Sequence, residues 1–208
     1  GGKLEFQQGG TDNGTINARN ATFKIGSAYA VPGTLKTNSS TTWDLASNLD
    51  LSGGTLVLGG NPVVLDKVLT NNQTTFKLGE DATVTRNQGF TLGSLDLDNS
   101  TLTLGSATTD LTIDIGDSSD NGTDSDSPPG TLATQTADLT VVGGIPSLSS
   151  GTTISSTGGT FTFGEGLSVS GATVNLQDST LALGGSFSKT GGSLTLSGTD
   201  LELLSNLS

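Results

Sequence analysis

The chain has 208 residues, and only 31% of them are apolar and 13% charged. A disordered chain would be rich in charge, so strict patterning has to replace a large globular core here. The net charge of -12 sets the chain against nucleic acid and anionic lipid as partners. The absence of Cys and His excludes a disulfide framework, thiolate metal sites and imidazole acid–base chemistry. No apolar run approaches the ~18 residues of a membrane span. The chain starts at Gly1-Gly2, with no secretion-signal pattern and no capping pattern at either end, and reads as a segment of something longer.

In chain order, apolar-x-apolar triplets recur from Leu4-Glu5-Phe6 onward. That two-residue period marks half-buried strands. A first column is Phe23, Trp43, Val63, Ala82 and Leu102; a second is Tyr29, Leu49, Leu69 and Phe90; a third is Ile16, Leu35, Leu56, Phe76 and Leu95. Each returns after about twenty residues, the length of a coil of three short strands and three corners. Glycines at Gly26, Gly53-Gly54, Gly59-Gly60, Gly79 and Gly105 stand between triplets, with Asp98-Asn99 and Pro32, Pro62 and Pro146 beside other bends. Asn61 to Thr70 is compatible with a short helix, but Val63 and Leu69 continue the columns, and strand is preferred.

The period fails once, from Asp117 to Gly130, where no apolar residue occurs. This acidic stretch is expected to be a loop extruded from a corner. Beyond it the ladder resumes at Leu139-Thr140-Val141, with Val141 to Phe161 as the next coil step. From Val142 to Gly158 the pattern does not place strands. It is clearest from Phe161 to Leu203, with starts at Phe161, Leu167, Val174, Leu181, Phe187, Leu194 and Leu201.

The fold expected is all-β: a single-stranded parallel β-helix, or β-solenoid, continuous over 1–208 with an insertion at 117–130. Ten or so coils at ~4.8 Å each would give a rod of roughly 50 Å. A terminal coil would leave an open strand edge, so end-to-end or edge self-association is an expected partner mode.

Units such as Gly54-Thr55-Leu56-Val57-Leu58-Gly59 and Ser179-Thr180-Leu181-Ala182-Leu183-Gly184 resemble, over nearly the whole chain, the parallel β-helices of large bacterial surface proteins. These are the filamentous-haemagglutinin-type adhesins and autotransporter passengers. The resemblance implies a right-handed helix, an extracellular or cell-surface location, and a role as a rigid stalk or adhesion module. It also implies a host or cell-surface glycan or protein as partner.

Several residues are candidates for chemistry. Asp117, Asp120, Asp124 and Asp126 would offer Ca²⁺ several hard oxygens on a glycine-containing loop. Their spacing is not that of an EF-hand, and a solvated acidic loop is the plainer reading. Between Asn87 and Ser188 there is no Lys or Arg but eleven acids, which reads either as a solubility face or as a lure for cations. Asp96 and Asp98 flank Leu97 and should point outward together, with Asp44 and Asp114 in similar positions. Paired carboxylates suit glycosidase chemistry, and β-helix lyases use Lys or Arg bases with Ca²⁺, but no base lies near Asp96 in sequence.

Seven Asn-x-Ser/Thr sequons, at Asn13, Asn20, Asn38, Asn72, Asn99, Asn121 and Asn206, read as corner and face chemistry. Trp43, Tyr29 and the Phe residues would stack on sugars, but their column positions favour the core. Outward Thr at Thr103, Thr162 and Thr195 does not form the sustained ladders of an ice-binding face. The leading expectation is a non-enzymatic structural or adhesive segment without cofactors. The alternatives are a carbohydrate-active β-helix enzyme (polysaccharide lyase or glycosidase) and a glycan- or calcium-binding module.

Overall fold

A computed structural model of the chain describes residues 2–71, 73–98, 100–105, 109–114, 130–142, 145–148 and 150–205. Among these residues there are strands and no helix, and every strand pairing is parallel. The strands stack as a β-solenoid of about nine turns.

The described strands fall on three faces. The first carries Gly2–Phe6, Ala21–Ile25 and Thr42–Leu45, and later Thr101–Leu104, Thr131–Gln135, Thr153–Ser156, Thr173–Gln177 and Ser193–Ser197. The second begins with Gly10–Thr11, Tyr29–Ala30, Leu49–Asp50 and Val68–Leu69, and ends with Thr160–Phe163, Thr180–Leu183 and Asp200–Leu203. The third includes Thr15–Asn17, Thr34–Lys36 and Ser94–Asp96, then Ser147–Leu148, Gly166–Ser170 and Ser186–Thr190. Strands Thr55–Val64 and Thr75–Thr85 turn the corner from the third face to the first unbroken, joining the two into a ten-stranded sheet. Gly59-Gly60 and Gly79, expected between strands, therefore lie inside long bent ones. Gly60 takes the bend at φ 109, and the register slips there.

Alternation builds the core. Leu56, Leu58, Phe76 and Leu78 are fully buried, and so are Phe161 and Leu181. The third expected column stands as read: Ile16 pairs with Leu35, Leu35 with Leu56, Leu56 with Phe76, and Phe76 with Leu95. So do the late columns, with Phe161, Leu181 and Leu201 in one register, Leu167 under Phe187, and Val174 under Leu194.

The other two columns hold in part, with Tyr29 paired to Leu49 and Ala82 to Leu102, and need correction at other steps. Leu49 pairs with Val68, which is fully buried, while Leu69 is 38% exposed. Adjacent apolar residues leave the phase open, and the corner at 65–67 sets it one residue earlier. Val63 pairs with Val84, not Ala82, because the bulge in Thr75–Thr85 takes up extra residues. Trp43 lies over Phe23 in register, the rings edge to face with centroids 5.8 Å apart, but among the described residues no strand of the next coil pairs with Thr42–Leu45. Further on, Val141 pairs with Phe163, and Phe161 with Leu139, so that coil is longer than twenty residues. The stretch 142–158 that the pattern left open holds Ser147–Leu148 and Thr153–Ser156.

Pairing continues on both sides of the acidic stretch. Leu102 pairs with Leu132, and Leu111 with Leu139. Near this join, Leu97, Leu132, Leu139, Leu148 and Phe163 help line a cavity of ≈ 30 Å³. Its lining is apolar, so a water there would lack hydrogen-bond partners.

Corners follow a local rule visible twice. The Asn38 N–H donates to Thr41 Oγ1, which donates to Ala18 O one coil below. The Asn71 N–H donates to Thr74 Oγ1, which donates to Leu51 O. Asn20, at φ 58, exchanges hydrogen bonds with the Asn38 side chain. Two of the sequon asparagines thus serve as corner residues.

Candidate functional site

The outer positions of the strands carry stacked charges. On the first face Glu5, Lys24 and Asp44 occupy one register across three coils. Lys24 Nζ lies 2.7 Å from Asp44, and Lys3 pairs with Glu5. The hydrogen bond from Lys3 holds the Glu5 carboxyl below its usual range, and the hydrogen bond to Asp44 raises the Lys24 ammonium.

The Asp96–Asp98 pair lies on the third face, and the sequence reading missed its neighbour. Lys77, one coil below in register with Asp96, places Nζ 2.5 Å from Asp96 and 4.0 Å from Asp98. The signal was available in the twenty-residue step, since 77 and 96 fall in one column. Asp98 sits at φ 43 and its N–H donates to Asp96 Oδ1 at 3.1 Å. Two carboxylates beside a lysine are the constellation a carbohydrate-cleaving site would need. Here the ammonium is engaged by both carboxylates, which makes the trio an inter-coil ion pair.

A second unforeseen residue is Arg86, only 6% exposed at the corner before Phe90–Leu92. Its guanidinium stands 5.9 Å from the Phe90 ring centre. Burial pushes its pKa down, and Asp66 opposes that shift. Thr109 Oγ1 accepts from the Arg86 N–H and donates to the Arg86 carbonyl, pinning the corner.

A further opening lies at the break in the first face. Thr41, Thr42, Trp43, Leu45, Val64, Asp66 and Lys67 line a groove of ≈ 470 Å³. It opens where Thr42–Leu45 ends its three-stranded sheet and residues 60–64 stand across from it. Pro62 in that facing segment has no N–H to give a ladder. The Ala46 N–H donates downward to Ile25 O. Because alternate residues address opposite neighbours, Trp43 and Leu45 turn their backbone groups toward the groove. Trp43 Nε1 is buried and has no hydrogen-bond partner among the described residues. Lys67 Nζ closes one end by donating to Ala46 O at 2.8 Å. Trp43, assigned to the core by its column, therefore has both surroundings: it packs on Phe23 and lines a groove.

Asp117, Asp120, Asp124 and Asp126, the candidate calcium ligands, lie outside the described residues, as do Asn72, Asn99, Asn121 and Asn206. Among the described residues, no group of three or more acidic side chains is placed to hold a metal ion. Among them too, no helix is long and apolar enough to cross a membrane. No protein-family model, curated protein or solved structure matches the chain. Its class is thus set by architecture alone, a parallel β-solenoid.

Proposed function

We propose that this chain is a rigid stalk segment of a secreted or cell-surface bacterial protein, holding adhesive parts away from the cell. The observation that carries this reading is the stack itself. Parallel strands follow one another through about nine turns, with apolar columns inside and Thr, Ser, Asn and paired charges outside. At ~4.8 Å per turn that is a rod of roughly 43 Å. Each coil buries its apolar edge on the next, so the rod resists bending. Antibodies against the chain should label intact source cells. Labelling that requires permeabilised cells would remove the surface assignment.

A second reading is favoured by the Trp43 groove: a module that binds a saccharide. An aromatic wall, threonine hydroxyls, a carboxylate and an ammonium around one opening are what a neutral sugar needs. A glycan array probed with the chain and with Trp43→Ala tests it. Binding unchanged by the substitution, or none at all, dismisses that site.

A further inference from the structure

We propose, on the basis of the saccharide reading of the Trp43 groove, that this groove admits only the end of a saccharide chain or a free short saccharide, with Lys67 as the stop that sets the limit.

The groove is shut at both ends of its strand. At the start, Gly60 lies so close to the Ser39 backbone that any Cβ at Gly60 would stand 2.7 Å from Ser39 Cα. Glu80, from the coil above Gly60, holds that contact by accepting the Ser39 N–H at 2.9 Å. At the far end the Lys67 ammonium reaches down to Ala46 O at 2.8 Å, and the Lys67 carbonyl accepts from the Leu49 N–H at 2.9 Å. Between the two closures runs Thr42–Leu45, four residues long. At ~3.3 Å per residue that is about 13 Å.

These closures choose among occupants. A peptide strand added to the open edge would have to continue along the strand direction, and only Trp43 and Leu45 are placed to hydrogen-bond it before the edge is blocked. The interior of an extended polysaccharide meets the same two walls. The way left in is from solvent, past Val64, which is 51% exposed and lines the opening. A ligand entering that way has one end inside and the rest of its chain outside. A sugar ring suits the inner end. Its hydroxyls both donate and accept, as the N–H and C=O groups of Trp43 and Leu45 require, and its C–H face packs on the half-buried indole. The Asp66 carboxylate is fixed beforehand by the Asn87 N–H and side-chain amide, at 2.8 and 2.7 Å, so this polar wall needs no ordering on binding. The closure at Ser39 is backbone on backbone, whereas that at Ala46 is a side chain, which a substitution can remove.

Trp43 is the only tryptophan in the chain, so its fluorescence reports the groove directly. The full chain is titrated with glucose, galactose, mannose and N-acetylglucosamine, and with linear homo-oligosaccharides of each in increasing length. For a sugar that responds, the expected midpoint per mole of chain is the same from the disaccharide to the longest oligomer, and the free monosaccharide competes for the same signal. Lys67→Ala, at an exposed position, should keep the response and make the midpoint fall as chains lengthen, because one end is then open. A midpoint that falls steadily with length in the parent overturns the proposal in favour of a chain lying along the groove. A Lys67→Ala variant whose midpoint ignores length overturns it too, by removing Lys67 as the stop. Both of these outcomes leave the saccharide reading standing. A Trp43 signal that no sugar moves overturns that reading, and the proposal with it.

Discussion

Leu181 and Leu201 are register partners one coil apart, yet Leu181 is fully buried and Leu201 is more than half exposed. The same residue type in the same column differs only in having a coil above it. Burial in this fold is thus supplied by the neighbour, and a mutation's cost depends on its place in the stack as well as on its inward or outward phase.

Leu181→Asp should be severely destabilising, by more than ~4 kcal/mol, because it leaves an unpaired carboxylate in a packed column. Asn175→Asp is the matched control, exposed and flanked in register by Ser155 and Thr195. It should cost under ~0.5 kcal/mol. Thr180, outward and next to Leu181, is a poorer control because Asp200 lies directly over it and a second carboxylate would be repelled. Thermal melts decide: equal losses for the Leu181 and Asn175 variants would contradict the inward phase.

Two glycines with positive φ separate backbone strain from crowding. Gly53 has φ 77, and an added Cβ would meet nothing closer than 3.9 Å. Gly159 has φ 81, and its Cβ would stand 2.5 Å from the Ala137 carbonyl oxygen, a backbone atom of the coil below. Gly53→Ala should cost only the left-handed penalty of about 1–2 kcal/mol. Gly159→Ala should cost clearly more, because one strand must move off another. Urea titrations that rank the two in the opposite order would refute this account.

The charge ladder on the first face makes a pH prediction. Glu5 has its pKa lowered in the fold, chiefly by the hydrogen bond from Lys3, so its contribution is present above the unfolded carboxylate range and fades as pH falls through the folded value. Lys24 has its pKa raised, chiefly by the hydrogen bond to Asp44, so its contribution is present below the unfolded ammonium range and fades as pH rises through the folded value. Both operate together between about pH 5 and pH 10. In an NMR titration, Lys3→Ala should let Glu5 titrate higher, and Asp44→Asn should let Lys24 titrate lower. A Glu5 midpoint that does not move in the Lys3 variant would show that the pair does not exist in solution.

The solenoid was legible because its signal is redundant. Leu35, Leu56, Phe76 and Leu95 each announce an inward position by alternation, and the twenty-residue step joins them. The step misled where coils change length. Between Leu49 and Val68 the coil is one residue short, and between Leu139 and Phe161 it is two residues long. A fixed period then selects a neighbour that is also apolar, Leu69 or Val141, and nothing local objects. The Lys77–Asp96 pair was hidden for another reason. Partners from adjacent coils are distant in sequence, so a search for a base near Asp96 along the chain could not find one stacked beneath it. The groove at Trp43 was illegible because it arises from a pairing that fails, and alternation is the same in paired and unpaired strands.

The last prediction concerns the acidic stretch. Deleting Ser118 to Ser127 and joining the ends with a short Gly-Ser turn should leave the fold intact. That segment supplies no apolar residue, while Leu102 with Leu132 and Leu111 with Leu139 already carry the stack across it. Loop-closure entropy changes slowly with length, so shortening alone should cost little. The deletion removes Asp120, Asp124 and Asp126, which lowers self-repulsion at low salt. If these residues and Asp117 hold Ca²⁺, the parent gains stability by mass action, about 2.7 kcal/mol at a hundredfold excess over Kd. The parent would then melt higher in calcium than in chelator, and the deletion variant would not. The expected outcome is the same melting temperature for the parent in both buffers; a calcium-dependent rise in the parent alone would establish the stretch as a structural ion site.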